Sequence, residues 1–413
     1  MTPTVVAIFL IVYLGMVLGG LPFLQLDRTG IALLGAIAMI SVDAVSLDDA
    51  AASVHLPTLI LFFSFMVLSA QMRLGGLYGW ITRGIAELPL SPPALLGALI
   101  AVIAALSAVF SNDIVCLACA PVLIGACEER RLDPIPFLLA LACAANIGSA
   151  ATLIGNPQNM LIGQTLGLSF AGYFGKAIVS VLAGLAALWG LTAWQTRGRW
   201  MQRAAKGELA VPRPAGGSDG LDPWQTAKGS IVVVALLFAF LFTSLPREHV
   251  ALTAAGILLM SRRLHSRKML GLVDWELLVL FIGLFVVNHA LQRTGVPAEA
   301  VSRLSALGFD LRQSGPLFGA TFVLSNLVSN VPAVMLLLPL AEQTAAGPML
   351  ALVSTFAGNL LIVGSIANII VIDAAARHGI AIDWRRHART GVPVTVVSLA
   401  ICAAALWQAT GGT

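Results

Sequence analysis

The sequence has very few charged residues. Of its 413 residues, 24 are Lys or Arg and 20 are Asp or Glu, so 11% are charged, against about 25% in an ordinary soluble domain. Hydrophobic residues make up 58%, and the mean hydropathy is +0.91. This composition excludes a soluble protein, which could not solvate its surface with so few charged residues. It also excludes a disordered chain, which needs low hydrophobicity and high charge. It predicts a polytopic integral membrane protein whose net charge of +4 gives no reason to expect a nucleic-acid partner.

The chain also lacks a cysteine framework and the common catalytic motifs. Its five cysteines fall mostly within apolar stretches, where small buried hydrophobes are the usual interpretation. The CxxC spacing of Cys116 and Cys119 is the one alternative, because two thiols on one helix face can bind a soft metalloid. No HExxH, GxSxG or P-loop occurs, so no enzyme is predicted, and ATP would require a separate subunit. The first 20 residues lack Lys, Arg and a small-residue cleavage site, which favours a permanent first span.

Apolar stretches define the predicted spans, each of which needs about 20 mostly apolar residues. Ten continuous candidates lie at about 4–24, 30–45, 56–72, 134–166, 172–194, 227–245, 248–262, 272–291, 347–372 and 391–409. Two further stretches, 92–126 and 314–343, are each broken near the middle by polar residues. These residues are Ser111, Asn112 and Asp113 in the first stretch, and Ser325, Asn326, Ser329 and Asn330 in the second.

Basic residues predict the orientation. The positive-inside rule places the linker 196–226 and the basic loops near 262–268 and 377–389 in the cytoplasm. Tracing the chain back from the linker places the loop at 128–131 in the cytoplasm and the acidic loop at 43–49 on the outer side. These assignments agree only if 92–126 enters and leaves on the cytoplasmic side and 314–343 on the outer side. Both stretches are therefore predicted to be re-entrant hairpins.

The predicted fold is an all-α polytopic membrane protein built from two inverted repeats. Each repeat has five transmembrane crossings, one re-entrant hairpin and a helix broken at the midplane. The first repeat spans 1–195, with its hairpin at about 92–126 and its broken helix at about 134–166. The second spans 227–413, with its hairpin at about 314–343 and its broken helix at about 347–372. Both termini are predicted outside an inner (plasma) membrane of bacterial type.

Residue matches at slowly drifting offsets favour this repeat over chance similarity between apolar helices. At an offset of 220, Phe65, Val67, Ala70, Arg73 and Gly75 match Phe285, Val287, Ala290, Arg293 and Gly295. At 218, Ser111, Asn112 and Pro121 match Ser329, Asn330 and Pro339. At 209, Gly155 and Asn159 match Gly364 and Asn368.

Four polar segments at membrane depth predict a transport site: the two hairpin tips and the two helix breaks. Carbonyls freed by a break are tolerated only inside protein or along a cavity, and broken helices in matching halves point to a transport site. The competing interpretation is that small polar residues only pack helices. The predicted substrate and ion ligands are Ser111, Asn112, Asp113, Gly155, Asn156, Asn159, Ser329, Asn330, Gly364, Ser365 and Asn368.

Asp113 is the predicted coupling residue because it is the one acid expected at a hairpin tip within the membrane. A buried carboxylate can exchange a proton or bind a cation; the alternative is a helix-capping role. His289 is either a proton site or a packed histidine. Arg73 and Arg293 are interpreted as interfacial anchors.

These motifs resemble those of the ion transporter superfamily that contains arsenical-pump membrane proteins, NhaD-type sodium/proton antiporters and divalent anion/sodium symporters. The resemblance is carried by Phe110–Asp113 with Pro121, by Ser329–Pro332 and by the two broken helices. It implies paired re-entrant hairpins, a homodimer, and a transport domain that moves like an elevator.

Within that superfamily, the dicarboxylate branch has Ser-Asn-Thr at both tips, where these residues contact the substrate carboxylate and sodium. Ser111, Asn112, Ser329 and Asn330 would then line the site, but Asp113 and Val331 stand where threonines would be. The tips look closer to the arsenical-pump branch, which exports arsenite or antimonite by proton coupling or with a partner ATPase.

The functional prediction is a secondary active transporter that couples a proton or sodium to a small inorganic anion or metalloid oxyanion such as arsenite. A sodium/proton antiporter is the main alternative, and a di- or tricarboxylate symporter is a further one. No cofactor, structural metal or catalytic residue is expected, apart from a bound sodium ion as coupling ion.

Overall fold

The computed structural model describes residues 2–20, 24–201 and 220–409, so residues 202–219 of the predicted linker lie outside the described residues. Within these ranges the chain is helical apart from loops, turns and one isolated bridge between Leu132 and Met201. The predicted all-α fold class is confirmed.

The described part of the first half contains ten α-helices. They are α1 (Thr2–Leu18), α2 (Arg28–Ser41), α3 (Leu47–Ser53), α4 (Leu56–Leu74), α5 (Leu77–Glu87), α6 (Pro92–Val109), α7 (Asn112–Glu129), α8 (Pro134–Ser149), α9 (Pro157–Thr165) and α10 (Phe170–Gln195).

The described part of the second half also contains ten α-helices. They are α11 (Pro223–Phe242), α12 (Arg247–Leu259), α13 (Ser266–Leu270), α14 (Trp275–Arg293), α15 (Val296–Ala306), α16 (Ser314–Val328), α17 (Asn330–Leu337), α18 (Ala346–Ala357), α19 (Ile366–Arg377) and α20 (Trp384–Ala409). Helices α4 and α14 both have 19 residues, α5 and α15 both have 11, and α10 and α20 both have 26.

Six helices of the described chain are long and apolar enough to cross a membrane: α4, α6, α10, α11, α14 and α20. The predicted stretches 134–166 and 347–372 each form two helices separated by a loop, as expected for broken helices. The short helices α3, α5, α13 and α15 were not predicted, because a helix of 5 to 11 residues leaves no span-length apolar signal.

The helices that lead into the two breaks form the centre of the protein. All 12 residues of α18 are buried, as are 14 of the 16 residues of α8. Helix α8 lies so close to α6 that a Cβ atom on Gly148 would be 2.3 Å from the Cα atom of Ala104. Glycine is therefore required at this crossing of α6 and α8.

Long-range polar contacts join the helix ends in two separate groups. The first group consists of Leu90 with Arg130, Asp133 with Trp200, Gln195 with Arg389, Lys228 with Met260, and Gly75 with Asp222. The second consists of Asp49 with Arg293, Gln164 with Glu248, Gly163 with Arg247, and Arg312 with Gln343. Helix α11 connects the groups, since Asp222 precedes its first residue and Arg247 follows its last.

Candidate functional site

The first break separates α8 from α9 at residues 150–156. The Asn159 side chain folds back across it, and its Nδ2 donates to the carbonyls of Ser149 at 3.4 Å and Thr152 at 2.9 Å. The Asn156 side chain caps α9 by accepting from the Asn159 backbone N–H at 2.9 Å. Amide side chains thus pair the backbone groups that the break would leave unsatisfied.

The second break separates α18 from α19 at residues 358–365 and includes a short 3-10 turn at Ile362–Gly364. Nδ2 of Asn368 donates to the carbonyls of Gly358 at 2.8 Å and Leu361 at 3.0 Å. Donor and acceptors all lie 209 positions after their counterparts Asn159, Ser149 and Thr152. The two breaks are therefore built from equivalent hydrogen bonds.

Reciprocal contacts join the two breaks to each other. Nδ2 of Asn156 donates to Oγ1 of Thr355 at 3.3 Å, and Oγ of Ser365 donates to Oδ1 of Asn146 at 2.9 Å. The offset of 209 relates Asn156 to Ser365 and Asn146 to Thr355. An exchange of this kind, in which each partner contacts the other's counterpart, is what a twofold relationship produces.

Asn146 connects three of the four predicted segments. It is 2% exposed, and its Nδ2 donates to Oδ1 of Asn359 at 2.8 Å and of Asn368 at 3.3 Å. Its own Oδ1 also accepts from Nδ2 of Asn112 at 3.3 Å. The predicted ligand set omitted Asn146 and Asn359, although an amide in an otherwise apolar buried helix is a signal that could have identified Asn146.

The first hairpin is formed by α6 and α7, which meet at Phe110 and Ser111. At its base, the Arg130 guanidinium donates to three carbonyls of the chain that enters it, those of Ala86, Leu88 and Leu90. At its tip, the backbone N–H of Asn112 donates to the Gly155 carbonyl at 3.3 Å. The hairpin thus returns to its starting side and places its tip against the first break.

Gly155 permits this close approach. A Cβ atom at this position would lie 2.3 Å from the Ser149 carbonyl oxygen and 2.7 Å from that of Ser107. Gly364 has the equivalent contact in the second break, where a Cβ atom would lie 3.1 Å from the Gly358 oxygen. Both predicted glycines therefore lie at the site for steric reasons.

The second hairpin is formed by α16 and α17, which meet at Ser329. Its base is closed by Gln343, which accepts from Oγ of Ser314 at 2.9 Å and donates to the Arg312 carbonyl at 2.7 Å. At the tip, Ser329 has φ 80° and ψ 160°, a region that is essentially restricted to glycine. Nδ2 of Asn330 faces the second break, 3.1 Å from where a Cβ atom on Gly358 would lie.

Several buried oxygens of these segments have no hydrogen-bond donor. In the described part of the chain they include Oδ1 of Asn112, Asn159, Asn326 and Asn330. At the tips and breaks, Nδ2 of Asn359 is a buried donor without an acceptor, and the Ser325 hydroxyl has no partner in the described part of the chain. Unpaired buried acceptors are costly, and amide oxygens are able to coordinate a cation or to accept from a hydroxyl donor.

Asp113 lies in the first turn of α7 and is partly exposed. The capping alternative is not observed, because the N-cap residue is Ser111 and no side-chain cap hydrogen bond is present. Its carboxylate has no hydrogen bond or ion pair with any residue in the described ranges, and the charged group that interacts with it is Asp274. Asp113 is thus free to take up a proton or a cation.

Three further residues named in the sequence analysis are accounted for by an ion pair or by burial. Arg293 forms an ion pair with Asp49 at the end of α14. Cys116 and Cys119 are buried free thiols, and no cluster of three or more His, Cys, Asp or Glu side chains that could hold a metal ion occurs within the described residues.

Paired helical hairpins whose tips face two broken helices define this chain as a membrane transporter. Residues 6–357 match the CitMHS citrate transporter family, and the chain belongs to that family. It is 30% identical over 407 residues to an uncharacterized transporter of Mycobacterium tuberculosis, covering 93% of this chain and 94% of the relative. The family and its relatives are transporters rather than enzymes.

Other relatives carry more specific names. Over 452 residues, covering 92% of each chain, the sequence is 30% identical to a silicon efflux transporter of Oryza sativa subsp. japonica. Over 489 residues it is 24% identical to the putative transporter arsB of Dictyostelium discoideum, covering 92% of this chain and 87% of the relative. The fold is similar to that of the Alcanivorax borkumensis YdaH transporter, with a TM-score of 0.58, 14% identity and coverage of 100% and 99%.

Proposed function

We propose that this protein is a secondary active transporter that moves a small hydroxylated oxyacid, or its anion, of the class of arsenous and orthosilicic acid. One observation carries the proposal: the hairpin tips and breaks hold buried amide oxygens that lack donors, on Asn112, Asn159 and Asn330. An oxyacid with several hydroxyl groups donates to such oxygens. The relatives named for silicon efflux and arsB are consistent with this substrate class.

The same oxygens argue against citrate, despite the name of the family. Citrate has one hydroxyl donor, but its three carboxylates offer acceptor oxygens only and need donors or cations around them. None of the eleven predicted ligands is Arg or Lys. Of the unpaired side-chain amide atoms at the tips and breaks in the described ranges, four are oxygens and one is a nitrogen. Carboxylates would therefore enter this site only together with bound cations.

Asp113 is the proposed coupling residue, with a proton or sodium as the coupling ion. Its carboxylate adjoins Asn112, which connects the tip to Asn146, so a change in its charge alters the tip at which the substrate binds. We expect D113N to abolish transport driven by a pH or sodium gradient while the protein remains folded. D373N, which removes an exposed acid paired with Arg377, is the matched control.

The test is flux into proteoliposomes that contain the purified full-length protein. Arsenite, orthosilicic acid and citrate are offered separately, each with a pH gradient, with a sodium gradient and with neither. We expect gradient-driven flux of arsenite or orthosilicic acid and no flux of citrate in the absence of sodium. Citrate flux without oxyacid flux would refute the substrate class, and unchanged flux in D113N would remove Asp113 from the coupling step.

A sodium/proton antiporter is the second candidate, because amide and backbone oxygens beside a carboxylate also suit a sodium ion. In this case sodium alone, without any oxyacid, would release protons from acidified inverted vesicles. The same assay on D113N would show whether Asp113 carries the exchanged proton.

We also propose that the two groups of helix-end contacts lie on opposite sides of the membrane. The group with Asp133, Lys228 and Arg389 contains the basic loops, which favours the cytoplasm, and the group with Asp49 favours the outside. The two hairpins would then be re-entrant from opposite sides, with both termini outside and the linker 196–226 inside. Labelling of S46C and S266C by an impermeant maleimide tests this, since only S46C should react from outside.

By resemblance to its superfamily, the proposed working unit is a homodimer in the inner (plasma) membrane that exchanges access by an elevator-like movement. The first hairpin and the two breaks would move together, because Asn112, Asn146 and Asn359 are joined by hydrogen bonds. A partner ATPase is excluded if the purified protein alone transports against a gradient.

A further inference from the structure

The two longest helices each hold one carbonyl of a break. In the first half, the Tyr173 hydroxyl on α10 donates to the Ala150 carbonyl at 2.7 Å. In the second half, Nε2 of His387 on α20 lies 3.1 Å from the Asn359 carbonyl oxygen. Since a carbonyl can only accept, Nε2 of His387 carries the hydrogen of this bond.

These two contacts are equivalent. The carbonyls of Ala150 and Asn359 are related by the offset of 209 that relates the breaks, and Tyr173 and His387 are both the fourth residue of their 26-residue helices. Both side chains are 2% exposed. Two different donor side chains thus occupy the same position and make the same bond, which indicates that the bond matters more than the residue.

Helix α20 also fits the shape of the second break. One turn after His387 lies Gly391, where a Cβ atom would be 2.4 Å from the Asn359 carbonyl oxygen. A real Cβ contact of that length with a backbone atom forces the break to move. The Asn359 carbonyl therefore lies in a notch formed by His387 and Gly391.

We propose that His387 and Tyr173 are positioning residues that fix the two breaks and, through them, the amide groups at which substrate binds. The assignment follows from the further hydrogen bonds that connect these residues to the amide side chains of the site. Asn359 accepts from Asn146 through its side chain, and Tyr173 also accepts from Asn159 at 3.2 Å. The part of the inference that concerns substrate rests on the proposed function, whereas the part that concerns the geometry of the breaks does not.

The test uses the full-length protein and two readouts, the first in nanodiscs and the second in proteoliposomes. H387L removes the donor, H387Q retains an N–H donor, and G391A fills the notch. Y173F removes the donor in the first half. Matched controls are H378Q, whose histidine bonds a helical carbonyl beyond the breaks, and Y13F, whose buried hydroxyl bonds Asn288.

The first readout is hydrogen–deuterium exchange of the two break segments. Loss of one buried hydrogen bond is expected to accelerate exchange about tenfold. For H387L and G391A this acceleration should be confined to 358–368, and for Y173F to 146–159, with H387Q and both controls near wild type. Unchanged exchange in H387L and Y173F, or equal acceleration of all peptides, would overturn the positioning role.

The second readout is the apparent KM for arsenite in proteoliposomes. We expect about a tenfold higher KM in H387L and Y173F, with recovery in H387Q and no change in H378Q or Y13F. An unchanged KM in variants whose breaks exchange faster would overturn the link to substrate binding. If the wild-type protein transports no arsenite, the proposed function fails, and the exchange experiment still decides the positioning role.

Discussion

The side-chain amide of Asn146 donates to Oδ1 of Asn359 at 2.8 Å, and this bond joins the end of α8 to the break in the other half. Both residues are buried. Neither amide can turn away without leaving the other unpaired, and each unsatisfied buried group costs about 1–3 kcal/mol. The two halves are therefore coupled at the point where the proposed site lies.

Replacing Asn146 by alanine should strongly destabilise the protein. The change removes the partner of Asn112, Asn359, Asn368 and Ser365 together, so we expect a loss of about 2–4 kcal/mol. Thermal unfolding in detergent measures it, with N288A as the control. Asn288 is a buried amide with one side-chain hydrogen bond within the described ranges, from the Tyr13 hydroxyl, so its removal should cost about 1 kcal/mol. Equal losses in both variants would contradict the central role of Asn146.

Gly155 should not tolerate alanine. The added Cβ would lie 2.3 Å from the Ser149 oxygen, and overpacking of this kind costs about 1–3 kcal/mol. G190A is the matched control, because a Cβ atom there meets nothing within 4 Å and alanine favours the helix by about 1 kcal/mol. Melting temperatures should fall for G155A and rise for G190A. The steric argument fails if both variants shift in the same direction.

Ser329 stores backbone strain at the second hairpin tip. With φ at 80° and ψ at 160°, a residue with a Cβ atom costs about 1–3 kcal/mol. We expect S329G to stabilise the protein by about 1 kcal/mol, since the greater freedom of glycine in the unfolded chain offsets part of the gain. S329A keeps the strain and should melt near wild type. A lower melting temperature for S329G than for S329A would show that the conformation is not strained.

The ion pair between Asp49 and Arg293 should make stability depend on pH in the acidic range only. The hydrogen bond from the Arg293 guanidinium lowers the pKa of Asp49 below its ordinary value of 3.8. Because the folded-state pKa is the lower one, the stabilisation is complete above the unfolded pKa and is lost as pH falls through the folded pKa.

The measurement is the melting temperature of wild type and R293Q from pH 7 to pH 3. The difference between them should be constant from pH 7 to about pH 5 and should shrink below about pH 4. It should also shrink with added salt, since both side chains are about half exposed. A difference that grows on acidification would contradict the assignment.

Much of the architecture was predictable because particular residue types mark the places where helices end. Helix-breaking Gly, Pro and Asn at 150–159 and 358–368, and polar tips at Ser111 and Ser329, interrupt otherwise apolar stretches. The structure has a helix end at each of these places. All of the predicted ligands except Asp113 lie in these interruptions. Hydrogen bonds or close steric contacts explain why each of these residue types stands there.

The contacts across the halves could not be predicted from the sequence. Asn359, Tyr173 and His387 lie in different segments, and their partners are fixed by tertiary register. The offset between halves also changes from 209 at the breaks to 214 between α10 and α20. No single offset therefore pairs both the breaks and these two helices, and tyrosine and histidine are not scored as a match in a sequence comparison. The amphipathic helices α5 and α15 were missed because they lack the length of a span.

The reciprocal bonds between the breaks separate geometric equivalence from chemical equivalence. A contact between Asn156 and Thr355 that is repeated as one between Ser365 and Asn146 is the pattern that a twofold axis between two halves produces. The paired positions nevertheless carry different residues, and the bond that tyrosine makes in one half is made by histidine in the other. A symmetric frame therefore holds an asymmetric site.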